Sequence, residues 1–193
     1  KPTFALQFTD QRSVGDDLLK GESFSVQQVG FKADLPVGNA LFTAAQARGL
    51  RLITGKVLQD RHSPDGVRDD TEHSLSDTED RIRRWHARGR LGYAITPRFA
   101  PTSSEAQLRG AGELAARYPD VWIQSHVAEN RDEIAWAGTL FPQSRSYLAV
   151  YEAFGLMRRR AVYAHCIHLD DADRALMRDT GAAAAVCPTS NLF

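Results

Sequence analysis

The chain has 193 residues, of which 42% are hydrophobic and 25% charged, a composition typical of one globular domain. Its 24 basic and 24 acidic side chains balance, so charge gives no reason to expect nucleic acid, an anionic membrane or a strongly acidic substrate. No apolar run approaches the ~18 residues of a membrane span. The only two cysteines, Cys166 and Cys187, form no CxxC pair. We therefore expect a cytoplasmic protein, and a small neutral ligand is compatible with its charge.

Residues 1–38 mix Gly, Asp, Gln and Ser without a sustained hydrophobic period. Within them, residues 3–8 (TFALQF) have the composition of a strand. We predict a poorly defined N-terminal segment over residues 1–38, followed by a partial barrel domain over residues 39–193.

From residue 39 onward, short apolar runs alternate with amphipathic segments, the pattern of repeated βα units around a parallel sheet. Near-continuous hydrophobicity suits strands that are buried on both faces. Five strands are predicted, over residues 51–58, 91–96, 121–127, 161–166 and 183–187.

Helices are predicted between these strands from capping residues and apolar spacing. Residues 76–79 (SDTE) and 104–107 (SEAQ) are capping boxes, each followed by apolar residues at helical spacing. An apolar stripe over residues 147–154 indicates another helix. Residues 169–171 (LDD) begin a further one, which Gly181 ends.

Periodicity alone is equally typical of a closed barrel and of a doubly wound open sheet. The positions of the reactive side chains favour the barrel. His126 and His165 end two predicted strands and Arg98 follows a third, and barrel enzymes build their sites at this end of the strands. We predict an α/β fold, a (β/α)8 TIM-type barrel of which about strands 3 to 7 are recognisable and strands 1 and 8 are not seen.

The motif SHVAEN at residues 125–130 is the strongest local signal. His126 can offer a neutral imidazole nitrogen to a metal, and Glu129, in the first turn of the next helix, can face the same pocket. Taken alone, the motif is more often a capped strand end followed by a carboxylate that favours a helix N-terminus. His165 strengthens the catalytic interpretation, because barrel closure would bring both histidines to one point.

Arg98 and Phe99 lie in TPRFAPTS, residues 96–103, where prolines on both sides stiffen the loop. A planar guanidinium beside an aromatic face suits a flat heteroaromatic ring with a carbonyl or ring-nitrogen acceptor. An exposed arginine in a rigid turn is the alternative. Residues 187–191 (CPTSN) are interpreted as packing and turn chemistry. No function is assigned to the four remaining histidines, His62, His73, His86 and His168.

Several segments together resemble the guanine deaminases of the amidohydrolase superfamily. The resemblance covers residues from about 40 to 193 and implies zinc-dependent hydrolytic deamination of guanine to xanthine and ammonia. It also implies one Zn²⁺ per active site and suggests a homodimer. The segments that carry it are GKVLQDR at 55–61, YAITPRFAPTSS at 93–104, SHVAEN at 125–130, AHCIHL at 164–169 and CPTSNL at 187–192.

The resemblance implies a role for each candidate residue. His126 matches a zinc ligand that also touches the substrate, Glu129 the carboxylate that moves protons, and His165 the histidine near the metal-bound water. Arg98 and Phe99 match the pair that holds the purine. Zinc lowers the pKa of bound water to about 7, which attack on an amino-bearing ring carbon needs near neutral pH. A carboxylate that acts as acid and base is the other requirement.

The resemblance also implies a His-x-His pair before residue 126, which does not occur, and a strand-8 Asp expected beyond residue 193. We therefore expect an excerpt of a longer enzyme, with the remaining zinc ligands elsewhere. These residues alone are not expected to hold zinc tightly, because catalytic zinc normally has at least three protein ligands. Two alternatives stay open: another aminohydrolase of the superfamily, acting on a pterin, cytosine or a triazine, and a catalytically inactive truncated barrel.

Overall fold

The computed structural model describes residues 14–17, 22–25 and 36–191, with side chains from residue 39 onward. In the N-terminal segment, strands β1 (Val14–Asp17) and β2 (Glu22–Ser25) pair antiparallel. The sequence analysis does not predict these strands, because neither contains a run of apolar or β-branched residues. The predicted strand at residues 3–8 lies outside the described residues, and the predicted domain boundary at residue 39 stays a prediction.

From residue 36 onward, helices alternate with parallel strands. The strands form one sheet in the order β3-β5-β6-β7-β8, with β4 also paired to β5. The elements are α1 (Pro36–Ala47), β3 (Leu52–Thr54), β4 (Val57–Leu58), α2 (Thr71–Trp85), β5 (Leu91–Pro97), α3 (Glu105–Arg117), β6 (Trp122–Val127), α4 (Arg131–Leu140), α5 (Tyr147–Ala153), β7 (Ala161–His165), α6 (Asp171–Thr180), β8 (Ala183–Ala185) and α7 (Pro188–Asn191).

The strand order decides between the two architectures that periodicity left open. Each strand from β5 to β8 pairs with the strand before it in the chain. A doubly wound sheet reverses its strand order at a switch point, whereas a (β/α) barrel keeps adding strands in one direction. The sheet therefore has the topology that the barrel prediction requires.

The predicted strand at residues 51–58 is wrong in one respect, because it consists of two pieces, β3 and β4. Between them, a Cβ atom on Gly55 would lie 1.7 Å from the carbonyl oxygen of Ala94, so only glycine lets the two backbones approach this closely. The backbone N–H of Lys56 donates to the Tyr93 hydroxyl at 3.1 Å. The ladder is interrupted there and resumes in the same register at β4.

The starts of α3 and α2 test the two predicted capping boxes. Ser104 caps α3 as predicted, accepting a hydrogen bond from the Gln107 backbone N–H. For α2 the prediction is wrong: the helix begins at Thr71, and residues 76–79 lie inside it. Asp70 caps it instead, accepting from the His73 backbone N–H at 2.9 Å. The helix therefore starts earlier in the chain than the capping box predicts.

The last long helix confirms both of its predicted boundaries. Asp170 caps α6 by accepting from the Asp173 backbone N–H at 2.7 Å, and Gly181 ends it in the left-handed conformation with φ +71°. Within the described ranges, no helix combines the length and the apolar character needed to cross a bilayer.

The hydrophobic core lies between the sheet and the helices that cover it. Tyr93, Ile95, Ile123 and Tyr163 of the central strands are fully buried, and so are apolar side chains of α3 and α5. At roughly 25 cal/mol per Å² of apolar surface, this layer is the main source of stability. It holds β5, β6 and β7 side by side, and so fixes where their carboxyl ends lie.

Candidate active site

The carboxyl ends of β5, β6 and β7 carry the predicted site residues. Arg98 follows β5, His126 is the next-to-last residue of β6, and His165 is the last residue of β7. The parallel ladder places Val127 opposite His165, and Phe99 forms an isolated bridge with His126. The imidazole rings of His126 and His165 stack with their centroids 5.4 Å apart. The structure therefore brings these residues to one edge of the sheet.

Three residues at this edge have left-handed backbone conformations, which residues other than glycine rarely adopt. Ala128, His165 and Cys166 have φ of +52°, +74° and +56°. Long-range hydrogen bonds stabilise them: Cys166 N–H donates to the Val127 carbonyl at 3.0 Å, and His168 N–H to the Ala128 carbonyl at 3.2 Å. Such residues concentrate at functional sites, where the surrounding structure holds them in place.

The imidazole of His126 is fixed in one tautomer. Its Nδ1 lies 2.6 Å from the carbonyl oxygen of Arg98, and its backbone N–H donates to the same oxygen at 3.2 Å. A carbonyl oxygen only accepts, so Nδ1 carries the proton and the lone pair is on Nε2. Burial first, and the charge of His165 to a smaller extent, lower the pKa of His126 to about 4. The ring is therefore neutral at pH 7, as a metal ligand must be.

His165 has two polar neighbours, Glu129 and Asn191. The Oε1 atom of Glu129 lies 3.4 Å from Nδ1 of His165, and the side-chain nitrogen of Asn191 lies 2.9 Å from the same atom. The amide oxygen of Asn191 accepts from the Cys187 backbone N–H at 3.3 Å, so its NH₂ group faces His165. Nδ1 of His165 then accepts and Nε2 carries the proton. A neutral His165 therefore presents a donor.

The sequence analysis missed Asn191, because residues 187–191 are interpreted there as packing and turn chemistry. A signal was available in its position. CPTSN follows the last predicted strand, so its polar side chains lie at the same end of the sheet as His126 and His165.

Arg98 and Phe99 form part of a larger aromatic surface. The guanidinium carbon of Arg98 lies 5.0 Å from the centre of the Phe99 ring. Trp136 packs edge-on against Phe99 at 6.0 Å and against His62 at 5.4 Å, and 38% of Trp136 is exposed. His62, to which the sequence analysis assigns no function, is thus connected to the candidate site through Trp136. The arrangement provides a cation and flat apolar surfaces side by side.

Glu133 and the two cysteines are ionisable side chains that flank the site. Glu129 is predicted in the first turn of the next helix, but it lies in the loop before Asn130, which caps α4. Glu133, in the first turn of α4, is buried, and its Oε1 has no hydrogen-bond partner; burial, and then the charge of Glu129, raise its pKa. Cys166 and Cys187 are free thiols, and burial raises the pKa of both, that of Cys166 to about 12. Neither cysteine is a thiolate near neutral pH, which supports the prediction that Cys187 is a packing residue.

The described residues provide one candidate metal ligand, His126. His126 is neutral, partly buried and oriented by a carbonyl, which fits a single metal-binding imidazole. Across the described part of the chain, no three His, Cys, Asp or Glu side chains lie close enough together to hold a metal ion.

Comparison with known proteins places the chain in a family. The model of the amidohydrolase family matches residues 17–193, most of the chain. The chain belongs to the amidohydrolase family. Guanine deaminase of Escherichia coli (strain K12) is 47% identical over 155 residues, 80% of this chain and 35% of that protein. Guanine deaminase of Dictyostelium discoideum is 38% identical over 159 residues, 81% of this chain and 35% of that protein.

Solved structures agree with the sequence relatives. The Escherichia coli guanine deaminase structure superposes with a TM-score of 0.79, covering 81% of this amidohydrolase chain and 36% of that one. Guanine deaminase from C. acetobutylicum with bound guanine in the active site, 35% identical, gives 0.76 over 80% of this chain and 37% of that one. The chain spans about a third of the length of these relatives. The predicted fold is confirmed as a curled parallel half-barrel, part of a TIM-type barrel.

Proposed function

We propose that this protein hydrolyses guanine to xanthine and ammonia. The observation that carries the proposal is the convergence of a neutral His126, Glu129 and His165 on one sheet edge, beside the guanidinium and ring of Arg98 and Phe99. The names of the similar proteins support guanine as the substrate.

The proposed reaction forms a C–O bond at the amino-bearing carbon of the purine and breaks its C–N bond. A zinc ion, when bound, would supply hydroxide by lowering the pKa of water to about 7. Nε2 of His126 is the one ligand that the described residues offer, and we propose that the others lie outside them.

Glu129 would move the protons. Its carboxylate is partly exposed and lies beside His165, so it can take a proton from water, pass it to a ring nitrogen and later protonate the departing amine. His165, with its proton on Nε2, would donate a hydrogen bond to the attacking oxygen. Glu129 as the base and His165 as the hydrogen-bond donor would therefore act on the same attacking oxygen.

Arg98 and Phe99 would hold the purine. The guanidinium fork donates to the carbonyl edge of guanine, and Phe99, extended by Trp136, packs against the flat ring. Because the main-chain carbonyl of Arg98 also holds His126, one residue connects substrate binding with the proposed metal ligand.

The test follows guanine loss and ammonia release by the full-length, zinc-loaded protein. We expect turnover of guanine in preference to a pterin, cytosine or a triazine, each assayed at the same concentration. Absence of guanine turnover would contradict the proposal, and preferred turnover of another member of this panel would replace it with a related aminohydrolase activity.

We also propose that the protein is a cytoplasmic homodimer. The two free thiols support a reducing compartment, and the resemblance to guanine deaminases supports the dimer. Light scattering of the purified full-length protein measures the mass, and a monomer would contradict the second part.

A further inference from the structure

The hydroxyl of Tyr151, on α5, is a buried polar group to which the proposed reaction assigns no role. Tyr151 is 0% exposed. Its hydroxyl donates to the carbonyl oxygen of His126 at 2.7 Å and accepts from the Ala100 backbone N–H at 3.0 Å. The Ser125 hydroxyl lies 2.9 Å from it and also 3.3 Å from the carbonyl oxygen of Arg98. The Tyr151 hydroxyl therefore both donates and accepts within the buried layer.

The partners of this hydroxyl belong to two different parts of the candidate site. Ser125 and His126 lie near the end of β6, while Ala100 belongs to the segment after β5 that carries Arg98 and Phe99. In the same segment as Ala100, the Arg98 carbonyl accepts from both the ring N–H and the backbone N–H of His126. Segment 98–100 is therefore attached to His126 at two points, and Tyr151 provides one of them from a helix.

We propose that Tyr151 is a positioning residue that holds segment 98–100 against His126. It keeps the substrate-binding side chains and the metal-facing imidazole at a fixed separation. The inference rests on the proposed function and deepens it. Tyr151 touches neither substrate nor metal in this proposal, and it acts through Ala100 and His126.

The matched pair of variants is Tyr151→Phe and Tyr163→Phe. Tyr163 is also 0% exposed, and its hydroxyl donates to a main-chain carbonyl, that of Leu156, at 3.1 Å. Each substitution removes one buried hydroxyl and leaves the ring, but only Y151F removes a bond to the site. A general loss of stability would therefore appear in both variants, and a loss of positioning in Y151F alone.

Two measurements on the full-length protein distinguish a loss of positioning from a general loss of stability. Y151F should lower kcat/KM for guanine by roughly 10- to 100-fold, because small misplacements of reacting groups have effects of this size. Y163F should stay near the wild-type value. In hydrogen exchange, the peptide that contains residues 96–103 should exchange faster in Y151F than in Y163F, because the Ala100 N–H loses its acceptor.

Equal kcat/KM and equal exchange in the two variants would overturn the inference. If the wild-type protein does not deaminate guanine, the proposed function fails, but hydrogen exchange still tests the role of Tyr151. Faster exchange in Y151F alone supports the inference. Unchanged exchange in Y151F overturns it. If Y151F does not fold, the wild-type protein tests the inference at single-residue resolution. The Ala100 N–H, whose acceptor is the Tyr151 hydroxyl, should be protected from exchange, and an unprotected Ala100 N–H would overturn the inference.

Discussion

The helix N-termini and the carboxyl ends of the strands satisfy their polar groups in different ways. Each of five helices, α2 to α6, is capped by the side chain that precedes it, which accepts from a backbone N–H three residues later. At the strand ends the partners are distant in sequence: Tyr151 bonds to Ala100, and His126 to Arg98. Loss of a cap should therefore weaken the fold, and loss of a strand-end group should weaken the chemistry.

The largest expected effect is at Glu129. Glu129→Gln keeps the size of the side chain but removes the base, so kcat for guanine should fall by about 10²- to 10⁴-fold. Its side chain is partly exposed, so the free energy of unfolding should stay close to that of the wild type. Ammonia release and urea denaturation measure the two quantities. Near-normal kcat would remove Glu129 from the proposed chemistry.

Arg98 comes next. Arg98→Ala removes a charge-assisted donor fork, and kcat/KM for guanine should fall by roughly 10- to 150-fold. Arg98→Lys, which retains the charge without the planar fork, should recover only part of this loss. The carbonyl that holds His126 belongs to the main chain and remains, so zinc content should be unchanged. An equal loss of zinc in R98A would show that the side chain acts on the metal site.

Asn191 tests the hydrogen bond to His165. Asn191→Ala removes the donor to Nδ1, and a neutral hydrogen bond of ~1 kcal/mol corresponds to about 5-fold in kcat. Nitrogen chemical shifts of the His165 ring should report a loss of the Nε2-protonated tautomer. Ser190→Ala in the same short helix is the control, because its hydroxyl bonds to the Cys187 carbonyl and, among the described residues, has no hydrogen bond to His165. Identical effects of both substitutions would assign Asn191 a role in folding alone.

Asp70 tests the helix caps, which we expect to affect the fold and not the chemistry. Asp70→Ala removes the cap of α2, and the free energy of unfolding should fall by about 1 kcal/mol. Because the cap is local and on the surface, kcat/KM for guanine should not change. Urea denaturation and steady-state assays measure the two effects, and a fall in kcat/KM would show that helix caps and strand ends are coupled.

The smallest effect is expected at Glu133. Burial raises the pKa of this carboxyl above its ordinary value, so the folded state binds the proton more tightly than the unfolded state. Its contribution to stability is greatest below the ordinary pKa and is lost as pH rises through the raised one. Thermal unfolding from about pH 4 to pH 8 should show the wild type losing stability relative to Glu133→Gln. Parallel curves would contradict the prediction.

The sequence by itself determined the features that depend on neighbouring residues. Hydrophobic periodicity located the strands, and the Ser104 and Asp170 caps located two helix starts, because each depends on residues a few positions apart. Strand-end positions also predicted that Arg98, His126 and His165 converge. The same local reasoning placed the start of α2 too late, at residues 76–79 instead of directly after Asp70.

Only the tertiary structure decided the break at Gly55, the amide of Asn191 against His165, the link from Phe99 through Trp136 to His62, and the hydroxyl of Tyr151. Each of these joins atoms that lie far apart along the chain and meet only when parallel strands align. A periodic pattern shows that a side chain is buried, but it does not show which distant group that side chain meets. The helix starts could therefore be predicted largely from sequence, whereas the hydrogen bonds of the site could not.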